Sequence, residues 1–212
     1  MSSSANIDFH SQASMDSGEE LARAEVYGLL AELFYAPPTQ ALYEQLLVAV
    51  TEAPMAGAFL EGSWRELVGA ARRLSLADIE AEYVALFGGV GKPAVCLFGS
   101  WYLAGALNQK PLVELRSSLA GLGLERPQGV LETEDHIASL CEVMRYLIAG
   151  EDLSVSNLAA QQRFFNSYLR AWVDGLCDGI GVQVQADFYR ALADFARDFF
   201  AVEAQGFDLL ER

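Results

Sequence analysis

The densest set of proton-active side chains lies in LETEDHIASLCEVM, Leu131 to Met144, where Glu132, Glu134, Asp135 and His136 fall within five residues. His136 is one of two histidines; the other, His10, lies far away near the N-terminus. Carboxylates beside an imidazole can form an acid/base pair, ligate a metal, cap a helix or read a cationic partner. Ligand counting removes the metal. A di-iron helical bundle needs two Glu-x-x-His motifs, but Thr133 stands three residues before His136. A zinc site needs three or four ligands, and Cys96, Cys141 and Cys177 are far apart and form no C-x-x-C.

Nucleophilic catalysis has no better support. No G-x-S-x-G occurs, and Cys141 follows His136 by five residues. At about 100° per residue those two side chains point about 140° apart on one helix. GGVGKP, Gly88 to Pro93, resembles a phosphate loop only faintly. Leu86 stands where its first glycine belongs, and Pro93 replaces the magnesium-binding Ser or Thr. The stretch reads as a helix end and turn.

The elements that must position these residues are helices. Leu21, Val26, Leu29, Leu30, Leu33 and Phe34 share a stripe in a helix from Glu19 to Tyr35. Pro37-Pro38 ends it, and Thr39 caps a second helix through Val50. SWRELVGAARRL forms a third, and SLADIEAEYVALF a fourth, with Ser75 and Asp78 close to a capping box. Further helices fit Leu97–Leu107, Pro111–Leu122, Thr133–Ala149, Asn157–Cys177 and Val184–Ala204. No segment alternates as a strand would. The expected fold is all-α, a compact helical bundle.

Within the Thr133–Ala149 helix, Ile137, Leu140, Cys141, Met144, Leu147 and Ile148 form the buried stripe. The same rotation puts Asp135 on the solvent face and His136 at the stripe's edge. Thr133 would cap the helix, with Glu134 and Asp135 in its first turn, where the helix dipole favours anions. Residues 1–18 read as a disordered tail without signal-peptide character, and 19–212 as one domain. Glycines at 88, 89 and 91 and the stretch 121–132 are candidate hinges. Aromatics cluster in EYVALF, LFGSWYL and RFFNSYLRAW, either as core or as the lining of a groove for an apolar helix.

Composition narrows the partners. Lys plus Arg number 14 against 29 Asp plus Glu, a formal charge of −15. Such a surface repels phosphate backbones and anionic membranes and attracts basic peptides. The longest near-uncharged run, Pro93 to Leu107, is too short to cross a bilayer. Sparse, odd-numbered cysteines fit reduced thiols in the cytoplasm.

The motifs also occur in a telling order: EYVALF (Glu82 to Phe87), LFGSWYL (Leu97 to Leu103), ETEDHI (Glu132 to Ile137), QQRFFNSYLRAW (Gln161 to Trp172) and FYRALADFARDFF (Phe188 to Phe200). Together they resemble the TorD/DmsD/NarJ family of cytoplasmic redox-enzyme maturation chaperones, from about Leu21 to Glu203. The resemblance implies an all-α fold whose N-terminal and C-terminal parts meet at a hinge within 121–132. It implies a non-enzymatic chaperone that binds a molybdopterin oxidoreductase precursor, commonly through its twin-arginine leader. Such a chaperone holds the apoenzyme until the cofactor is inserted and so delays export.

Carried over residue by residue, the leader surface would use Tyr83, Leu86, Phe87, Phe98, Glu132, Asp135 and His136. Leu97, Thr133 and Tyr168 depart from the family's frequent proline, proline and histidine. These departures fit a client other than the trimethylamine-oxide and dimethyl-sulfoxide reductases. No cofactor is expected beyond the weak guanine-nucleotide binding that the family admits. A glycine-rich hinge allows either a monomer or a domain-swapped dimer. The rival is a metal- or nucleotide-dependent all-α enzyme such as a nucleotide hydrolase.

Overall fold

Ala24, Tyr27, Leu30, Ala31 and Phe34 recur at helical spacing and are all buried. They lie on α1 (Phe9–Tyr35) and turn it inward against α7 (Ile137–Ala149), whose buried face is Ile137, Ala138, Leu140, Cys141, Met144, Leu147 and Ile148. This pair is the spine of the molecule. A computed structural model describes residues 9–51, 60–88, 92–127 and 129–210. The stripe expected on α7 is the one found, and on α1 it is rotated slightly, leaving Leu21 exposed. α1 begins at Phe9, earlier than the expected Glu19; residues 1–8 of the expected tail lie outside the described residues. Extending an established helix is far cheaper than nucleating one.

Around the spine the helices follow local sequence signals. Thr39 caps α2 (Gln40–Val48) by accepting the Leu42 N–H. α3 (Glu61–Arg73) ends on Arg72 and Arg73, which suit the negative end of its dipole. Ser75 and Asp78 close a complete capping box on α4 (Leu76–Phe87). α5 (Gly99–Ala104) stops at Gly105, which takes the left-handed conformation that glycine adopts without steric cost. α6 (Lys110–Gly121) starts with Pro111 in its first turn. Among the described residues the fold is all-α, ten helices with one isolated backbone bridge, Phe98 to His136.

Other expected helices differ too: the one expected over Leu97–Leu107 is only α5, and two later ones have other bounds. The single helix expected over Asn157–Cys177 is α8 (Leu158–Tyr168), capped by Asn157, followed by α9 (Val173–Gly181). No glycine or proline marks the break. The Trp172 indole N–H donates to the Tyr168 carbonyl at 2.6 Å, and Leu169 and Trp172 both turn into the core. Burial of two large side chains outweighs helix continuity there. The last described helix, α10 (Phe188–Leu209), starts later than the expected Val184. Its start is set by a residue from α4: the Glu82 carboxylate accepts the N–H groups of Asp187, Phe188 and Tyr189 at 3.0, 3.1 and 2.7 Å.

α10 also ties back to α1. Arg23 donates Nε and Nη2 to the two oxygens of Glu203 at 2.7 and 2.8 Å, and the Tyr27 hydroxyl donates to the same carboxylate at 3.0 Å. The Arg23 guanidinium also lies over the Phe207 ring, 5.7 Å from its centroid. No described helix is long and apolar enough to cross a membrane.

Candidate functional site

Asp135 and His136 were expected inside a helix starting at Thr133, with Asp135 facing solvent. Instead α7 starts at Ile137 and His136 is its N-cap. Asp135 is 4% exposed. The carboxylate has work inside the fold: Oδ2 accepts the buried Ser100 N–H at 2.9 Å and Oδ1 accepts the Thr133 hydroxyl at 2.6 Å. Backbone bonds run alongside, from Gly99 N–H to the Asp135 carbonyl and from Ile137 N–H to the Leu97 carbonyl, each 2.9 Å. Asp135 therefore pins the aromatic segment Leu97–Ser100 to the start of α7. Sequence periodicity missed this because the partner that buries Asp135 is 35 residues away.

The His136 Nδ1 accepts the Ala138 N–H at 3.2 Å, so that nitrogen carries no proton. Burial holds the imidazole pKa down to about 4, against the pull of Glu132 and Asp135. A proton on Nδ1 would break the cap and set a positive charge at the positive end of a helix. The linkage has a definite sign. Between pH 6.5 and about 4 the unfolded chain binds a proton that the folded chain refuses. Stability is thus full above pH 6.5 and falls as the medium acidifies, by about 2 kcal/mol at pH 5. Asparagine is a good N-cap that does not titrate. In urea titrations between pH 4.5 and 7.5, His136→Asn is expected to remove this part of the acid sensitivity; equal slopes would refute it.

Tyr83, Glu132 and His136 meet at a residue that sequence reasoning did not select, Tyr35, with Phe87 joined through Tyr83 and Phe98 through His136. The Tyr83 hydroxyl donates to the Tyr35 carbonyl at 2.6 Å and Tyr83 stacks edge-on with Phe87 at 5.1 Å. The Tyr35 ring faces His136 at 6.3 Å, and its hydroxyl lies 3.4 Å from the Glu132 carboxylate. Phe98 meets the His136 ring edge-on at 5.0 Å. Tyr83, Phe87, Phe98, Glu132 and Tyr35 are all at least partly open to solvent. Leu86, Asp135 and His136 are buried, so none of the three offers an accessible face. The signal for Tyr35 is its place at the end of α1, an exposed aromatic one residue short of Pro37-Pro38.

Beside Tyr35 opens an apolar groove of about 510 Å³ between α1, α7 and the stretch after α6. Tyr35, Leu124, Val130, Ala138, Val143 and Tyr146 supply most of its lining. Its volume lies within the ~300–1,000 Å³ of ordinary ligand sites. Glu125, Glu134 and Glu142 stand along it, and Leu131, 88% exposed, lies just beyond Val130. Among the described residues no group of three or more His, Cys, Asp or Glu side chains gathers to hold a metal ion.

Residues 55–178 match the family described as nitrate reductase delta subunit, and the chain belongs to that family, the TorD/NarJ group that its motifs resemble. It is also similar to the chaperone protein TorD of Shewanella loihica, 26% identical over 207 residues that span 87% of this chain and 92% of that protein. The chaperone protein TorD of Vibrio cholerae is 25% identical over 205 residues, 89% of this chain and 93% of that protein. The family match contains Tyr83, Phe98 and the whole Glu132–His136 cluster.

Proposed function

We propose that this chain is a maturation chaperone, not an enzyme, whose client is a molybdopterin oxidoreductase precursor. It binds the client's twin-arginine leader in the cytoplasm, keeps the apoenzyme ready for cofactor insertion and delays its export. The observation that carries this reading is the pair of aromatics Tyr35 and Phe98, each in contact with His136, next to Glu132 and an apolar groove edged by carboxylates. A twin-arginine leader offers the complement: guanidinium groups for the carboxylates and an apolar stretch for the groove. Exposed ion pairs contribute only about 0.2–1 kcal/mol each. Most of the affinity must then come from apolar burial, with charge setting approach and orientation. The formal charge of −15 favours encounter with a basic leader and disfavours nucleic acid.

Calorimetry of the full chain against a synthetic peptide bearing an Arg-Arg pair ahead of an apolar stretch tests the reading. Binding that weakens as salt rises is expected. Absence of binding to that peptide, together with absence of binding to the molybdopterin apoenzymes of the same organism, would refute it.

A further inference from the structure

The groove beside Tyr35 is already engaged by a guanidinium, and it belongs to the chain itself. Arg126 lies in the groove wall with Nε 3.7 Å from Glu134 Oε1, while Nη1 donates to the carbonyls of Val130 and Glu132 at 3.2 and 3.1 Å. Arg116 holds the other oxygen of Glu134 firmly, Nε to Oε2 at 2.8 Å, and does not line the groove. The Glu134 side chain is only 15% exposed, whereas that of Arg126 is 38% exposed. One oxygen of Glu134 is therefore held by a direct hydrogen bond, and the other meets Arg126, itself anchored by two carbonyls, only at a separation too long for one.

We propose that Arg126 is an internal stand-in for a client arginine. The incoming guanidinium replaces Arg126 on Glu134 Oε1 while the apolar stretch that follows fills the groove. This rests on the function proposed above and names the residues that set its selectivity. Three observations carry it. The carboxylate sits at the edge of an apolar groove large enough for several side chains. It already shows affinity for this ligand chemistry through two arginines. The weaker of the two faces the groove, so exchange trades one guanidinium for another with no net loss of charge pairing. Glu125 and Glu142 along the same groove extend the complementarity to a basic segment. A segment with an apolar stretch and no arginine does not compete for Glu134, so Arg126 neither helps nor hinders it.

The test is calorimetry with two synthetic peptides, one with an Arg-Arg pair ahead of an apolar stretch and one with both arginines replaced by glutamine. Arg126→Gln is an exposed-site change. It is expected to tighten binding of the arginine peptide about two- to fivefold, the worth of one removed surface ion pair, and to leave the glutamine peptide unchanged. Glu134→Gln is expected to weaken the arginine peptide about tenfold or more, with a thermal melt confirming that the variant is folded. In Arg126→Gln/Glu134→Gln the gain from the first change should vanish. Equal affinity of wild type and Arg126→Gln for the arginine peptide overturns the competition alone. So does an equal gain for both peptides, which would mean that the shortened side chain merely opens space. A wild-type chain that binds neither peptide overturns the competition and the leader-binding function together.

Discussion

Replacing Glu82 with alanine is expected to lower the unfolding free energy by about 3–5 kcal/mol, the largest effect of any single polar substitution considered. Glu82 sits on α4, yet its carboxylate caps the first turn of α10, where three N–H groups converge on two oxygens. A helix leaves its first N–H groups without internal partners, and here at least two of them, on Phe188 and Tyr189, are buried. Each buried donor left unpaired costs about 1–3 kcal/mol, and the ion–dipole attraction at the helix start is lost as well. Burial pushes the Glu82 carboxyl above its ordinary range while the three donors pull it back. Glu82→Gln keeps one carbonyl acceptor and should lose roughly half as much. Urea unfolding followed by circular dichroism checks both; a Glu82→Ala variant within 1 kcal/mol of wild type would show that α10 finds its cap elsewhere.

Asp135→Ala is expected to cost about 2–4 kcal/mol and, in the same variant, to weaken the proposed binding of an arginine-bearing leader peptide. Two losses add up: the charged acceptor of the buried Ser100 N–H, and the acceptor of the Thr133 hydroxyl. The binding loss is indirect. Asp135 touches no open surface, but it holds Phe98 against His136 and so holds the aromatic face in shape. The conservative change discriminates: Asp135→Asn retains an oxygen for Ser100 and should recover part of both stability and affinity. A direct contact would give the opposite pattern, with Asp135→Ala folded as stably as wild type and affinity lost all the same. Chemical denaturation and calorimetry on the same preparations separate the two outcomes.

Why the sequence conveyed some of this and not the rest follows from the range of the interactions involved. The apolar stripe of α7, the Thr39 cap and the Ser75–Asp78 box are local, written within four residues or one helical repeat, and the structure contains them. The family was legible because the aromatic and acidic motifs keep their order along the chain. Thr133 has the residue type of a cap, yet α7 starts at Ile137 with His136 as its N-cap. The bridge between Phe98 and His136 draws residues 133–136 away from the helix, and nothing near Thr133 announces a partner so distant in sequence. The same holds for Glu82, whose three donors lie more than 100 residues downstream. Tyr35 ends α1, as Pro37-Pro38 just beyond it implies. Its second role, joining Tyr83 to Glu132 and His136, needed three separate segments to be brought together.

The tie between Arg23 and Glu203 has a consequence for how the polypeptide is made. The two residues are separated by 180 positions. At the usual ~5–20 residues per second, a ribosome needs on the order of 10–40 s to travel from one to the other. For that interval the nascent α1 has neither the carboxylate for its arginine nor the α10 rings for Tyr27. Contacts of such high order close late and slowly. α7, the main partner of α1, is made earlier, so the first helix can dock on the spine well before the last helix locks it in place.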